Sequence, residues 1–250
     1  LPILIQLGSL MNYSALANIN KLNLMDSKPS TLAMKVYAEI HQDIRSGELP
    51  PEQHLKTDLL KNKYQTGTSP LREALARLAS ESFVTATGKS GYKVSPISTY
   101  DYEQLIGLRR YLEVKALKSS MILGDVDWEA GILVAYHRMA NLTKQELDSE
   151  HLYNEKKEEL HRNYHFALLA SCESWWELKI ISNLTNHIER YRRVLDITLN
   201  TSSSEYHEVQ NEHHLLMSAV IAKNFKEASF ILNEHRKRTY KLIRDKLETV

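Results

Sequence analysis

The stretch TSPLREALARLASESFVTATGKSGYKVSPIS, residues 68–98, decides the fold class of the N-terminal part of this chain. Ser69 followed by Pro70 is typical of a helix start, because serine caps free backbone N–H groups and proline is tolerated at the first helical position. Leucines at positions 71, 75 and 78 then repeat along one side of the predicted helix. Arg72 and Arg77 lie largely off that apolar side, so the sequence predicts an amphipathic helix with an inner stripe of leucines.

The residues after this helix predict a β-hairpin. FVTATGKSGYKV, residues 83–94, has two β-branched or aromatic runs around a Gly-Lys-Ser-Gly tip, with Lys89 in the tip and Lys93 in the second run. Upstream, apolar residues spaced along one face predict a helix from Thr31 to Ser46 and a short helix near Thr57–Tyr64. Three helices and a hairpin in about 65 residues are the arrangement of a winged helix-turn-helix.

This arrangement suits DNA binding. The third helix is narrow enough for the major groove, and its N-terminus offers free N–H groups and a positive dipole to phosphates. If the helix is considered alone, the simpler interpretation is that Arg72 and Arg77 lie on a solvated face. The basic hairpin directly after the helix instead favours DNA binding. The candidate DNA contacts are Thr68, Ser69, Arg72, Arg77, Lys89 and Lys93.

The composition limits the class of protein. The chain has 250 residues with 32 Lys+Arg against 31 Asp+Glu, which excludes a wholly polybasic protein, so an anionic partner must be met by a local patch. A hydrophobic fraction of 42% excludes a disordered chain, and only 8 glycines and 6 prolines favour long helices. The single cysteine, Cys172, excludes an internal disulfide, and this favours a reducing, cytoplasmic compartment. No stretch of the sequence has enough consecutive apolar residues to predict a membrane span.

The chain is predicted to have three parts. Residues 1–30 are expected to be a flexible leader, because LPILIQLGSL lacks the basic flank of a signal peptide and Met25 resembles an ordinary start; packing of this segment as an extra helix is the alternative. Residues 31–98 are the predicted winged helix-turn-helix. Residues 99–250 are the predicted effector-binding and dimerisation domain.

Successive amphipathic helices are predicted after Tyr100. Apolar residues form stripes in six segments, which predicts an antiparallel all-helical bundle and makes the fold class mainly α. The first stripe is predicted to comprise Leu105, Leu108, Leu112 and Ala116. The cluster at 190–193, Arg-Tyr-Arg-Arg, is predicted to be a solvated helix face, and the two tryptophans at 175 and 176 are predicted to be core and dimer contacts.

Histidine placement is the main chemical signal of the predicted bundle. His161 and His165 are four residues apart and therefore share one helical face. His213 lies in the predicted penultimate helix and His235 in the last. Convergence of these helices would bring four imidazoles to one divalent ion. The alternative is chance, since nine histidines in residues 101–250 readily produce one such pair.

The N-terminal part resembles the DNA-binding domain of GntR-type bacterial transcription regulators. The resemblance rests on VYAEIHQDIRSGELPP at 36–51, on Pro-x-Arg-Glu-Ala-Leu-x-Arg-Leu at 70–78 and on the ending GYKVSPIS at 91–98. It implies that Arg72 contacts DNA. Where the family carries a second arginine in the preceding turn this chain has Thr68, which leaves the affinity or the operator sequence open.

The rest of the chain is similar to the all-helical FCD effector domain of the FadR branch of these regulators. LRRYLE at 108–113, the HxxxH pair followed by FALLAS, and the pair His213 and His235 carry the similarity. The resemblance implies a metal held by His161, His165, His213 and His235, with His161 in place of the usual Asp or Asn. Four neutral ligands favour Zn or Ni over Mn or Mg. The alternative is that no metal binds and that His161 hydrogen-bonds the effector.

The resemblance also implies the partners. Arg109 occupies the position of a cavity arginine that pairs with the carboxylate of a small organic acid; the alternatives are a surface ion pair with Glu113, or Arg110 in the same role. The sequence most resembles the subgroup that regulates glutarate and 2-hydroxyglutarate catabolism, which makes a dicarboxylate the expected effector. The family resemblance implies a homodimer that binds double-stranded operator DNA and represses transcription. No membrane partner is expected.

Two other classes of function are alternatives to a regulator. A metal-dependent helical enzyme is opposed by the sequence, which contains no HExxH, Walker loop or GxSxG motif and has only Glu158 and Glu212 as carboxylates near the histidines. A protein that keeps the fold without binding DNA is the third reading, and Thr68 is the residue that keeps it open.

Overall fold

The computed structural model describes residues 31–88, 91–143, 149–195 and 204–249. Within these ranges the chain is mostly helical, with nine helices and three short strands. The helices are α1 (Leu32–Ser46), α2 (Thr57–Lys63), α3 (Thr68–Ser80), α4 (Thr99–Leu123), α5 (Val126–Ala140), α6 (Glu150–Leu169), α7 (Trp175–Val194), α8 (Ser204–Ile221) and α9 (Phe225–Leu247). The strands are β1 (His54–Leu55), β2 (Val84–Ala86) and β3 (Tyr92–Val94). The predicted fold class is confirmed: a winged helix-turn-helix precedes an all-helical region.

Local signals in the sequence define α1, the first helix of the head, as we call residues 31–98. Thr31 is the N-cap, and its side-chain oxygen accepts a hydrogen bond from the backbone N–H of Met34 at 3.2 Å. Gly47 ends the helix with φ 85°, the left-handed conformation that glycine adopts without a Cβ clash. The inner face of α1 is fully buried in the core of the head and comprises Val36, Ile40 and Ile44.

The third helix, α3, begins slightly earlier than the sequence predicts. Gly67 is its N-cap and makes no side-chain capping bond, so the assignment of Ser69 as the cap is wrong. Pro70 lies in the first turn, where its missing N–H removes no intrahelical bond. The predicted inner stripe is confirmed, because Leu71, Leu75 and Leu78 are all buried in the same core as α1.

The wing is a three-stranded antiparallel sheet with the strand order β1-β3-β2. In the hairpin Val84 pairs with Val94 and Ala86 with Tyr92, which confirms the predicted β-hairpin. Leu55 of β1 pairs with Tyr92 on the other edge of β3. The sequence did not predict β1, because a strand of two residues is too short to show an alternating pattern.

The inner face of α4 differs from its predicted stripe. Leu108 is 48% exposed, whereas Tyr102, Arg109 and Glu113 are buried with Ala116. The buried face of this helix therefore carries two charged groups and one phenol. A search for apolar repeats misplaces such a face, because it counts only the apolar residues.

The prediction of a solvated face at 190–193 is wrong for its first two members. Arg190 and Tyr191 are 2% and 1% exposed, respectively. Arg190 donates hydrogen bonds to the backbone carbonyls of Ser95 and Pro96. The two partners are 94 or more residues away in sequence, and no local pattern reports such a contact.

Packing divides the described chain into two compact units. The first contains Glu113–Leu178 and His207–Leu232. The second contains the head, the start of α4, Lys179–Tyr206 and Asn233–Val250. Besides the core of the head, the second unit has a cluster built from Tyr102, Ile188, Tyr191, Leu195 and Ile243.

The predicted division into 1–30, 31–98 and 99–250 stays a prediction, and residues 1–30 lie outside the described residues. No described helix combines the length with the apolar composition that a membrane span requires.

Candidate nucleic-acid interface and metal centre

The N-terminal end of α3 is an open surface of the head. Thr68, Ser69 and Arg72 are exposed there, while the leucines of the same helix face inward. The first backbone N–H groups of a helix have no intrahelical partner and carry its positive dipole end. The structure thus groups three of the six predicted DNA contacts at a site with exposed hydroxyls, a guanidinium and free amide donors.

Arg77, further along α3, is held by neighbours inside the head. Its Nε donates to Glu81 Oε1 at 3.1 Å, and its guanidinium carbon lies 4.0 Å from the centre of the Tyr37 ring. The Tyr37 hydroxyl donates to the other oxygen of Glu81 at 2.5 Å. A phosphate that bound Arg77 would therefore have to compete with an existing carboxylate.

The hairpin contains two candidate basic contacts, Lys93 in its second strand and Lys89 at its tip. Lys93 lies in β3, and its ammonium is 3.1 Å from Glu52 Oε1. Lys89, at the tip, lies outside the described residues. The hairpin strands follow α3 directly and belong to the same core, since Phe83 and Val94 pack with the leucines of that helix.

The four predicted histidines lie together. The ligand atoms of His161, His165, His213 and His235 are all within 4.8 Å of one another, and the last three are buried. His161 and His165, on one face of α6, have their Nε2 atoms 3.1 Å apart. The ring of His213, on α8, has its centre 5.1 Å from that of His161 and 5.3 Å from that of His165.

Two buried hydrogen bonds fix the helices that carry three of these histidines. The Tyr164 hydroxyl, on α6, donates to the backbone carbonyl of His213 at 2.8 Å. Trp128 of α5 is fully buried and donates from Nε1 to the carbonyl of Ala167 at 2.9 Å. Because both donors reach backbone atoms, they set the spacing of α5, α6 and α8 and with it the approach of the imidazoles.

The geometry of the cluster fits a transition-metal ion. Two nitrogens that are each about 2.0–2.1 Å from the same zinc ion lie roughly 3–4 Å apart. The Nε2 separation of 3.1 Å and the overall limit of 4.8 Å are close to that range. Four imidazoles without a carboxylate suit Zn or Ni and are poor ligands for Mg or Mn, which prefer oxygen.

The structure separates the two candidate effector arginines. Arg109 is 7% exposed, and Arg110, the next residue on α4, is exposed. Glu113, the predicted surface partner of Arg109, is only 2% exposed, so an ion pair between these two groups would not be a surface pair. His214, which directly follows His213, is exposed, and its ring lies 5.8 Å from that of Tyr136; it is not one of the four clustered histidines.

Several buried charged residues were not predicted from local sequence patterns. Arg45 of α1 forms a buried ion pair with Glu189 of α7. Arg236 of α9 is 4% exposed and directly follows one of the four histidines. A sequence signal for their burial is that each lies one or two turns from an apolar residue on the same helix. Many exposed charged residues share this spacing, so it does not identify the buried ones.

Two family profiles match the chain. The one described as "Bacterial regulatory proteins, gntR family" matches residues 32–94. The one described as "FCD domain" matches residues 104–238. The first match covers the helices and sheet of the head, and the second covers all four clustered histidines together with Arg109.

Curated relatives extend the similarity over most of the chain. The HTH-type transcriptional regulator BphR of Paraburkholderia xenovorans is 31% identical over 86% of this chain and 86% of its own. The HTH-type transcriptional repressor GlaR of Escherichia coli is 27% identical over 80% of this chain and 90% of its own. Among solved structures, E. coli McbR/YncC shares the fold with a TM-score of 0.69 at 19% identity, over 85% of this chain and 97% of that one.

Proposed function

Because the chain belongs to the GntR family of bacterial regulatory proteins and carries an FCD domain, we propose that it represses transcription from an operator whose occupancy a small organic acid controls. The chain is a DNA-binding transcription regulator and not an enzyme, and its curated relatives are likewise transcription regulators. Repression, as opposed to activation, is supported by the similarity to GlaR, which is described as a repressor.

The observation that carries the DNA-binding role is the open N-terminal end of α3. Arg72 would read a guanine edge in the major groove, and the Thr68 and Ser69 hydroxyls with the first amides of α3 would bind phosphate. Arg77 and Lys93 would add positive charge near the DNA backbone once their ion pairs with Glu81 and Glu52 were broken. Lys89 would reach the adjacent phosphates from the tip of the hairpin.

A homodimer is part of the proposal. One short helix and one wing contact too few base pairs for high specificity, and two copies double the number of contacts. Two-fold related heads would bind two half-sites about 10 base pairs apart, centre to centre. The operator would then have two-fold sequence symmetry.

The histidine cluster is proposed as the metal site of the FCD domain. His161, His165, His213 and His235 would hold a zinc or nickel ion, for which their nitrogen donors and spacing are suited. When bound, such an ion supplies a positive centre with an open position for a carboxylate oxygen. Arg109, buried on α4, would pair with an effector carboxylate through its two parallel N–H groups.

Dicarboxylates are our proposed effectors. The buried guanidinium of Arg109 supports an anionic ligand, and the sequence resemblance to the subgroup that regulates glutarate and 2-hydroxyglutarate catabolism supports an acid with two carboxylates. A thermal-shift comparison of succinate, glutarate and adipate tests this assignment. The stabilisation by the best acid should disappear in Arg109→Ala and persist in Arg110→Ala, which removes the neighbouring exposed arginine.

The DNA-binding proposal is tested with a duplex selected from a random library by the wild-type protein. Arg72→Ala should weaken retardation of that duplex by about tenfold or more, as expected for loss of a guanine contact. Arg110→Ala removes the same charge from the exposed face of α4 and should leave binding nearly unchanged. Equal affinities of the two variants would show that Arg72 does not contact DNA.

A further inference from the structure

Residues 95–98, Ser-Pro-Ile-Ser, connect strand β3 of the head to helix α4, and we call them the linker. Its first residue is tied to the wing, because the Ser95 N–H donates to the carbonyl of Phe83 at 3.0 Å. Its last residue is tied to α4, because the Ser98 carbonyl accepts the N–H of Tyr102 at 3.0 Å. The connection therefore contains no free segment between the wing and the helix.

Two consecutive side chains of α7 bind the backbone of the linker. Arg190 donates to the carbonyl of Ser95 and, at 3.4 Å, to that of Pro96. The Tyr191 hydroxyl accepts the N–H of Ser98 at 3.1 Å. The head, the linker and this part of α7 belong to the same compact unit. Backbone atoms at both ends of the linker are thus held by one turn of α7.

The charge of Arg190 is committed to this contact. The residue is 2% exposed, and in the part of the chain that the structure describes its guanidinium has no carboxylate within ion-pair distance. Its described hydrogen bonds go to neutral carbonyls of the linker. A buried charge opposes folding unless it is hydrogen-bonded, so the two carbonyls are what make this position of the guanidinium favourable.

The middle of the linker is held by apolar contacts. Ile97 is partly buried and packs against the cluster that contains Ile188, Tyr191 and Leu195 of α7. All four linker residues are therefore fixed, three through their backbone and one through its side chain. A short segment with a free backbone would let the head pivot, whereas a segment fixed at every residue does not.

We propose that Arg190 and Tyr191 fix the linker on α7 and thereby determine the half-site spacing that the protein recognises on DNA. Both side chains are buried and cannot touch DNA, so they are positioning residues. The inference rests on the proposed homodimer, and it adds the residues that set the geometry of the two heads.

The geometry of DNA makes a fixed linker measurable. A duplex turns once in about 10–10.5 base pairs, so two base pairs inserted between half-sites rotate one against the other by roughly 70°. Heads on free linkers follow that rotation at little cost. Heads on fixed linkers cannot follow it without breaking contacts to the protein or distorting the DNA.

The test uses the duplex selected by the wild-type protein and a second duplex with two base pairs inserted between its half-sites. The insertion should weaken binding by the wild-type protein by at least about tenfold. Arg190→Met and Tyr191→Phe should each reduce that loss to about threefold or less. Arg193→Met and Tyr240→Phe are the controls and should keep the wild-type ratio, because neither side chain makes a hydrogen bond to the described linker.

The ratio of the two affinities separates positioning from stability. A variant that is only less stable has a smaller folded fraction, which weakens binding to both duplexes by the same factor and leaves the ratio unchanged. Tyr191→Phe also keeps the ring that packs 5.1 Å from the ring of Tyr102, centre to centre. A reduced ratio in the two variants therefore reports a change in the freedom of the heads.

A second measurement needs no DNA. A spin label on Asn62→Cys, at an exposed position of α2, reports the distance between the two heads of a dimer, and Cys172 is buried and should stay unlabelled. The distance distribution should be at least about twice as wide in Arg190→Met as in the wild-type protein. Equal widths, or equal affinity ratios in the wild type and both linker variants, overturn the inference and leave the homodimer standing.

The remaining outcome concerns the homodimer itself. A selected duplex that has a single half-site and binds one chain contradicts both the homodimer and the spacing role, while DNA binding is retained. A wild-type dimer that tolerates the inserted base pairs without loss contradicts the spacing role alone.

Discussion

Phe83 of the head and His187 of α7 stack face to face, with ring centres 4.1 Å apart and ring planes inclined by only 8°. The His187 Nε2 also lies 2.9 Å from the backbone carbonyl of Glu81, to which it donates. The imidazole therefore joins α7 to the junction between α3 and β2. The position of α3 is thus coupled by direct contact to a helix of the region that matches the FCD domain.

The stack predicts an acid-sensitive contribution to stability. Burial lowers the pKa of His187, the hydrogen bond to Glu81 opposes that shift, and the charge of Arg190 adds to it. Because the pKa is lower in the folded state, the unfolded chain binds the proton first. The free energy of unfolding should fall as pH drops below about 6.5 toward the folded pKa, and the contribution is complete above that range.

This dependence is measured by urea unfolding between pH 7.5 and pH 5. His187→Gln should flatten the decrease, whereas His214→Gln, at an exposed histidine, should keep the wild-type slope. The interpretation fails if the His187 variant loses stability with acid as steeply as the wild type does.

Another contact between the head and α7 is the ion pair of Arg45 with Glu189, which predicts a large cost for removing one partner. The side chains of Arg45 and Glu189 are 9% and 2% exposed. Arg45→Met leaves a buried carboxylate without its counter-charge, and the unfolding free energy should fall by about 3–5 kcal/mol. The double variant with Glu189→Leu should recover most of that loss, since it leaves no buried charge.

An exposed pair in the same helix gives the control. Lys35 and Glu39 lie 3.8 Å apart with side chains that are 62% and 40% exposed, so Lys35→Ala should cost only about 0.3–0.5 kcal/mol in the same urea experiment. A loss in Arg45→Met no larger than that of Lys35→Ala would mean that the buried pair adds little.

Metal binding predicts a stability change that can be measured without DNA or effector. Any ligand that binds only the folded state stabilises it, by about 2.7 kcal/mol at a hundred times its dissociation constant. Zinc added to chelator-treated protein should therefore raise the melting temperature. His165→Ala should remove both the rise and the metal found by elemental analysis, and His214→Ala should keep both. A chelated wild-type protein that takes up no zinc or nickel would exclude the metal centre.

The sequence was most informative where a single helix or hairpin determines the pattern. Leu71 and Leu75 repeat on one face of α3, and the spacing of His161 and His165 is a property of one helix, so both features are visible locally. The six helical segments predicted after Tyr100 also correspond to six described helices, α4 to α9, because polar breaks separate the apolar stripes.

What the sequence missed depends on tertiary contacts between distant segments. Arg190 looks like a surface residue in a basic run, but the carbonyl of Ser95 accepts its hydrogen bond inside the fold. Tyr102 was not singled out among 13 tyrosines, since only the approach of α7 and α9 buries it. Burial of a polar side chain is decided by its neighbours, and local periodicity contains no information about them.

Thr68 gives the last prediction, because it is the first residue of α3 and its side chain is exposed. Thr68→Arg places a guanidinium fork where the protein now has one hydroxyl, and such a fork recognises guanine O6 and N7 with about 1–3 kcal/mol of discrimination. The variant should bind guanine-containing half-sites about tenfold more tightly, at a cost of at most about 1 kcal/mol in stability for a cation at a helix N-terminus.

Thr57→Arg is the control: it adds the same charge at the exposed first residue of α2 and should strengthen binding much less. Equal gains in the two variants, both abolished by moderate salt, would show that the added charge acts through phosphates alone and that position 68 does not face a base.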